Sequence, residues 1–265
     1  MEKILHKGIY QFFDQHKLFV KEQHGFRQNA STETATFNLL NTILKSLDSK
    51  STVGGLFLDI RKEFNSVDHN ILLSKLYFYG ISGKSNKLMK SYIKDRYQRV
   101  VMNDKNYNKI VPTWKQVKHG VPQGSILGPL LFLIYINDFP RSIDNCAEAV
   151  LFADDTSIVI ANANVQEYKH NAKITIQEIN DWFCSNSLTI NYYKTHYLQF
   201  STIKQKEIPF QIITTHTILT NMNSTKFLGL TIDSTVLWKE HIIYLAIKLN
   251  KASLTMCYGR NTSYP

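Results

Sequence analysis

The sequence predicts an α+β fold, and three observations support it. Short β-favouring runs, Val53–Leu58, Ala149–Leu151 and Ile158–Ala161, are bounded by polar residues. Longer segments instead carry apolar residues at three- and four-residue spacing, most clearly Val165, Tyr168, Ala172, Ile176, Ile179 and Trp182. The two kinds of segment alternate along 265 residues with no internal repeat and no low-complexity linker, the pattern of helices packed on a sheet.

Taken in order, Ile4, Ile9, Phe12, Phe13 and Leu18 suggest a short opening helix, followed by a polar loop from Lys21 to Asn29. Ser31 or Thr32 caps the next helix, to about Lys45, because a hydroxyl there can accept from the orphan amides of the first turn. Asp48–Thr52 reads as a turn into the strand that ends at Asp59. Val67, Ile71, Leu72, Leu76 and Tyr79 keep helical spacing until Gly80 and Gly83 break it, and a basic helix follows from about Ser85 to Tyr97. Arg99–Met102 and Lys109–Val111 flank the turn formers Asn103-Asp104-Lys105-Asn106, a hairpin pattern. The loop Gly120–Gly124 leads into an apolar helix to about Ile136. Asp154-Asp155 then sits at the tip of a second hairpin. After the amphipathic helix, Tyr192–Phe200, Phe210–Thr214 and Lys226–Ile232 read as strands, and Trp238–Ala252 as a final helix.

Composition narrows the class. A hydrophobic fraction of 43% and an aromatic fraction of 12% belong to a folded chain, long enough for one large domain or two small ones. The formal charge is +10, which suits a polyanionic partner such as nucleic acid. Ser82–Lys118 holds ten basic residues against Asp95 and Asp104, so this stretch alone carries +8. Lys87, Lys90, Lys94, Arg96 and Arg99 lie there, interleaved with Tyr92, Tyr97, Tyr107 and Trp114, a mixture suited to phosphates and bases. A solvated helix face is the plainer alternative. Cys146, Cys184 and Cys257 are odd in number and widely spaced, which reads as reduced thiols, an intracellular setting in nucleus or cytoplasm, and no disulfide-linked partner. No uncharged run reaches membrane-spanning length, and the longest apolar tract, Ile126–Ile136, is broken by Gly128 and Pro129. No membrane partner is expected.

The chemistry concentrates in three carboxylates. Asp59 ends one apolar run, and Asp154 and Asp155 join two others. Taken alone, adjacent aspartates are an ordinary polar turn. Three acids at strand ends are also what phosphoryl transfer with two divalent ions requires, because magnesium takes hard oxygen ligands.

The surrounding motifs resemble the reverse transcriptases of non-LTR (LINE-type, jockey-like) retrotransposons. The resemblance rests on Gln23-His24-Gly25-Phe26-Arg27 with Ser31-Thr32, on Phe57–Asn65, on Gly120–Phe132 leading into Tyr135–Asp138, on Phe152–Thr156, on Asn191 to Lys194-Thr195, and on Phe227-Leu228-Gly229. These blocks stand in the family's order over roughly residues 22–250, and the thirteen positions of Gly120–Phe132 are the most specific. Telomerase and group II intron polymerases share the chemistry, and the wording of that block makes them the weaker match.

The resemblance implies a right-hand polymerase fold, with fingers and palm over residues 1–236 and the start of a truncated thumb over 237–265. It implies RNA template, DNA primer and dNTPs as partners, and two Mg2+ ions, replaceable by Mn2+, as cofactors. Asp59 and Asp154 would be ligands of both ions and Asp155 a weaker, primer-side ligand. Ile60 and the backbone after Asp59 would cradle the triphosphate. Phe64 would bar a ribose 2′-hydroxyl, although spacing alone equally fits a core phenylalanine. Gln123 and Gly124 would touch the incoming nucleotide or the template, Lys194 would steady the leaving pyrophosphate, and Phe227, Leu228 and Gly229 would form the primer grip. Two residues depart from the pattern: Glu63 stands where the family has a small residue, and Asn65 where it has an acid. With the segments that resemble incomplete fingers and thumb, these departures raise a second expectation, an inactive retrotransposon relic that only binds nucleic acid. The same reasoning predicts little polymerase activity for residues 1–265 alone.

Overall fold

The structure is a computed structural model, and it describes residues 1–103, 109–143, 146–202, 210–214 and 218–260. The elements run α1 (Glu2–Gln15), α2 (Thr32–Asp48), β1 (Thr52–Leu58), α3 (Glu63–Ser66), α4 (His69–Phe78) and α5 (Gly83–Ile93). Four short strands follow, β2 (Arg96–Gln98), β3 (Met102–Asn103), β4 (Lys109–Ile110) and β5 (Lys115–Val117), then α6 (Leu127–Ile136), β6 (Ala147–Phe152), β7 (Asp155–Asn162) and α7 (Val165–Ser185). The last part holds β8 (His196–Phe200), β9 (Ile212–Ile213), β10 (Ile218–Leu219), β11 (Ser224–Phe227), β12 (Leu230–Asp233) and α8 (Lys239–Arg260).

The central feature is a four-stranded antiparallel sheet in the order β6-β7-β1-β8. Because successive residues of a strand face opposite sides, β1 serves two cores. Leu56 and Leu58 face a core shared with Leu72 and Leu76 of α4, Phe132 and Tyr135 of α6, and Ile179 of α7. Val53 and Phe57 face a second core with Ala35, Leu39 and Ile43 of α2 and with Phe227 and Ile232. Helix α6 is apolar on every side and almost wholly buried, as its run of Leu, Phe, Ile and Tyr requires. Ser31 caps α2 in a reciprocal pair with Thr34, and Asp68 caps α4 by accepting from the amides of Asn70 and Ile71.

Several boundaries differ from the sequence reading. The basic helix ends at Ile93 rather than Tyr97, because Asp95 takes a left-handed backbone (φ 58°) and Arg96–Gln98 pairs with Lys115–Val117 instead. The strand expected over Tyr192–Phe200 begins only at His196, since residues 191–195 turn back against Asp59. Lys226–Ile232 is a hairpin, not one strand: Leu228 and Gly229 both have positive φ (46° and 89°), as a two-residue turn between right-twisted strands demands. Asp104, Lys105, Asn106 and Tyr107, the side chain of Cys257 and the tail from 261 onward lie outside the described residues.

Two glycines make β1 possible. A side chain at Gly54 would overlap the hydroxyl of Tyr168, which hydrogen-bonds the Tyr197 hydroxyl at 2.7 Å in the buried layer under the sheet. A side chain at Gly55, on the other face, would press on the Phe200 ring at 2.8 Å. Gly54→Ala is therefore expected to destabilise the fold by about 1–3 kcal/mol, the usual cost of overpacking, read as a lower urea midpoint with an unchanged slope.

Candidate active site

The sheet register gathers the acids. Leu58 pairs with Thr156, so Asp59, one position further, comes opposite Asp155 on the same face of the sheet. Asp154 belongs to the two-residue turn that joins β6 to β7, between the paired Phe152 and Asp155, and Ala153 in that turn is left-handed (φ 57°). Strands distant in sequence thus bring two acids from one hairpin beside a third at the end of β1.

Asp59 is held by the turn after α7. The Asn191 side-chain amide donates to Asp59 Oδ2 at 3.0 Å, and the Asn191 backbone N–H donates to the Asp59 carbonyl at 2.8 Å. The Asp59 N–H donates to Thr195 Oγ1 at 3.4 Å, and the same hydroxyl donates to the Asn191 carbonyl at 3.0 Å. Buried Ile60 bridges to Ile190, and the Arg61 N–H donates to the Thr189 carbonyl at 2.9 Å. Asn191 and Thr195 belonged to a recognised motif, but nothing in the sequence revealed that they orient Asp59. Only their placement across 132 residues of chain does so.

The acids feel one another. Burial, then the charges of Asp154, Asp59 and Glu63, push the Asp155 carboxyl from 3.8 up to about 6. Burial, with the charge of Asp59 behind it, also raises Asp154. Glu63 therefore reaches the site with its field, which adds to the negative charge there.

Hard carboxylate oxygens crowded until they resist ionisation fit a divalent cation in chemical kind. Among the described residues, however, no three or more His, Cys, Asp or Glu side chains are gathered tightly enough to hold one ion. The three acids thus share a field and a register, without a closed cage among the described residues. Magnesium sites of this sort use one or two carboxylates and complete their shell with water and substrate phosphates.

Two clefts meet at Asp59 and Lys194. One, of about 550 Å3, is lined by Phe57, Asp155, Ser157, His196, Lys226 and Phe227 in addition to those two residues. The other, of about 760 Å3, is lined by Ile60–Glu63, Ser66, Asp154, Thr189 and Asn191 together with them. His196 Nδ1 lies 2.8 Å from Thr225 Oγ1, tying the β11–β12 hairpin to the sheet, and the buried Phe227 ring lies 6.1 Å from that of Phe57.

Other expected residues lie further out. Phe64 is half-buried, with its ring 5.0 Å from Phe132, and is not among the residues lining either cleft. The short α3 turns it toward α6. Gly120 (φ 88°) packs so closely on this turn that a Cβ would lie 2.8 Å from Asn65 Cα. Its carbonyl accepts from His69 Nε2 at 2.9 Å, so that nitrogen carries the proton. Gln123 is exposed, and Gly124 (φ 79°) has open space around it, leaving its backbone accessible. Lys87, Lys90 and Arg99 are exposed, with the Arg99 guanidinium 4.5 Å from the Trp114 ring centroid, whereas Lys94 is half-buried and donates to Asn70 Oδ1 at 2.6 Å. Arg96 is half-buried in β2.

An acidic hairpin thus stands beside a strand-end aspartate on an antiparallel sheet flanked by helices, and comparison with known proteins gives the family. The chain belongs to the reverse transcriptase (RNA-dependent DNA polymerase) family, whose sequence profile matches residues 1–232. It is 26% identical to the probable RNA-directed DNA polymerase from transposon BS of Drosophila melanogaster, over 98% of this chain and 28% of that protein. It is 27% identical to the RNA-directed DNA polymerase from mobile element jockey of Drosophila funebris, over 85% of this chain and 24% of that protein. The chain thus spans about a quarter of the length of these relatives. Apo telomerase from Candida tropicalis shares the fold, with a TM-score of 0.58 and 13% identity over 89% of this chain and 40% of that one. Enzymes of the family are metal-dependent polymerases. No helix among the described residues is long and apolar enough to cross a membrane.

The raised carboxyl gives a signed pH dependence. Between pH 4 and 6 the unfolded chain has already released the proton that folded Asp155 still holds, so Asp155 subtracts from stability as pH rises through this window. Asp155→Asn should be no more stable than wild type at pH 4. At pH 7 it should be more stable, on the order of 1 kcal/mol after allowance for the solvent that screens this only partly withdrawn side chain. Urea unfolding at the two pH values checks this, and equal differences at both would refute it.

Proposed function

We propose that this chain is the catalytic core of an RNA-directed DNA polymerase that adds dNTPs to a primer 3′-hydroxyl. The observation that carries the reading is the pair of clefts sharing Asp59 and Lys194, one containing Asp155 and the other Asp154. The primer end enters from the Phe227–Gly229 side and the triphosphate from the Ile60–Glu63 side, so the reacting groups meet over the acids. Asp59 and Asp154 would hold the metal, and Asp155 would assist on the primer side. Two magnesium ions bound there would lower the pKa of the primer hydroxyl and neutralise the departing pyrophosphate. Lys194, on the rim of both clefts, supplies a cation toward the same leaving group. The open backbone of Gly124, with Gln123 before it, meets the template or the nascent base pair.

The basic face of α5 tracks the nucleic-acid backbone. Lys84, Lys87 and Lys90 follow one another at three-residue intervals on its solvent side, and none has a carboxylate within 4 Å among the described residues.

A second reading, a relic that binds nucleic acid without extending it, is favoured by one observation. Glu63 adds negative charge to a site that must accept a triphosphate.

Primer extension separates the readings, and a binding measurement tests the basic face. Primer extension on poly(A)–oligo(dT) should show weak, metal-dependent incorporation that Asp154→Ala abolishes. Incorporation indifferent to Asp154→Ala would reject the first reading, and binding with no incorporation would favour the second. Binding of the same template–primer should weaken steeply with salt, and the triple change Lys84→Glu, Lys87→Glu and Lys90→Glu should lower affinity by about tenfold or more near 0.1 M salt. Unchanged affinity would make this face a solvated surface only.

A further inference from the structure

The loop before α2 touches the aspartate hairpin at its tightest point. The Leu151 N–H donates to the Glu22 carbonyl at 2.9 Å, and the His24 N–H donates to the Leu151 carbonyl at 2.7 Å, so the loop adds a short parallel bridge to the edge strand β6. Between these two bonds the Gln23 side chain turns inward and is only 2% exposed. Its Oε1 accepts from the Gly25 N–H at 2.7 Å and from the Ala153 N–H at 3.0 Å. Ala153 is the left-handed residue of the turn that carries Asp154, a backbone state that a residue with a Cβ keeps only when its surroundings impose it. Gly25 lies so close that a Cβ there would run into the Ala153 nitrogen.

The loop is itself anchored. Arg27 Nη1 donates to the Val20 carbonyl at 2.7 Å and to the Gln23 carbonyl at 3.3 Å, and the His24 ring sits between Thr34 Oγ1 at 3.1 Å and Asn38 Nδ2 at 3.2 Å. Gln23 Nε2 is buried with no hydrogen-bond partner, a cost that a carboxylate in the same place would avoid while accepting from both amides. A carboxylate would also set another negative charge beside acids that already repel one another.

We propose that Gln23 is a positioning residue for the aspartate hairpin: its neutral carbonyl holds the Ala153-Asp154 turn in the shape that presents both acids. Its consequence for metal binding rests on the reading of Asp154 and Asp155 as metal-holding acids. The test compares wild type, Gln23→Leu, Gln23→Glu and, as a control away from the hairpin, Tyr168→Phe. Amide exchange at Gly25 and Ala153 is followed by NMR, and Mn2+ alone is titrated by water-proton relaxation. Gln23→Leu should speed exchange at both amides and weaken Mn2+ binding by about tenfold each, as loss of an outer support of a metal site does. Gln23→Glu should keep both amides protected, because an acceptor oxygen remains, and Tyr168→Phe should change neither readout. Wild-type protection and Mn2+ affinity in Gln23→Leu would overturn the proposal. If that variant does not fold, loss of protection in folded Gln23→Glu overturns it equally. Wild type that binds no Mn2+, while Gln23→Leu still frees the two amides, would support the clamp and reject the metal reading of the hairpin.

Discussion

Everything in this molecule depends on the pairing of β1 with β7. That register alone sets Asp59 opposite Asp155, on the face from which both clefts are reached. A slip of one residue would turn Asp59 to the opposite face, among the apolar side chains of α4, α6 and α7. The register is specified from both sides because β1 is buried on both, with Leu56 and Leu58 committed to one core and Val53 and Phe57 to the other. Gly54 and Gly55 strengthen the constraint, since each admits a large aromatic neighbour that a shifted strand would strike with a side chain.

The same pairing creates an electrostatic problem that the fold tolerates. Carboxylates placed side by side and partly withdrawn from water resist ionisation, as the rise of Asp155 to about 6 records. The surroundings are arranged to hold these groups rather than to neutralise them. Asn191 and Thr195 fix Asp59 through neutral hydrogen bonds, and Lys194 lies at the rim. Stability is given up at a place where a bound cation would recover it, the usual compromise of a functional site.

The supports come from remote parts of the chain. The turn after α7 braces Asp59, and His69 of α4 holds the Gly120 loop. The β11–β12 hairpin is fastened through His196 and Phe227. These anchors converge on one sheet, so residues separated by more than a hundred positions act at a common site.

Much of this was legible in the chain itself. Val53–Leu58, the two runs around Asp154-Asp155 and the long amphipathic α7 announce themselves through periods of two and of three to four, because local burial dictates those periods. The Gly120–Phe132 block was recognisable because its wording resembles a known family, and the acidic pair because carboxylates at strand ends suit metal-assisted phosphoryl chemistry. The early end of the basic helix, the late start of β8 and the turn at Leu228-Gly229 were not legible, since long-range pairing partners decide each of them. Phe64 shows the limit most clearly. Its position in the motif fits either a sugar-facing ring or a core ring, and only the packing of α3 on α6 directs it toward Phe132. Sequence by itself therefore determined which residues are candidates for the chemistry and which periodic segments build the frame. Tertiary structure decided which side chains orient them, because hydrogen bonds such as Asn191 to Asp59 span stretches of chain that no local pattern connects.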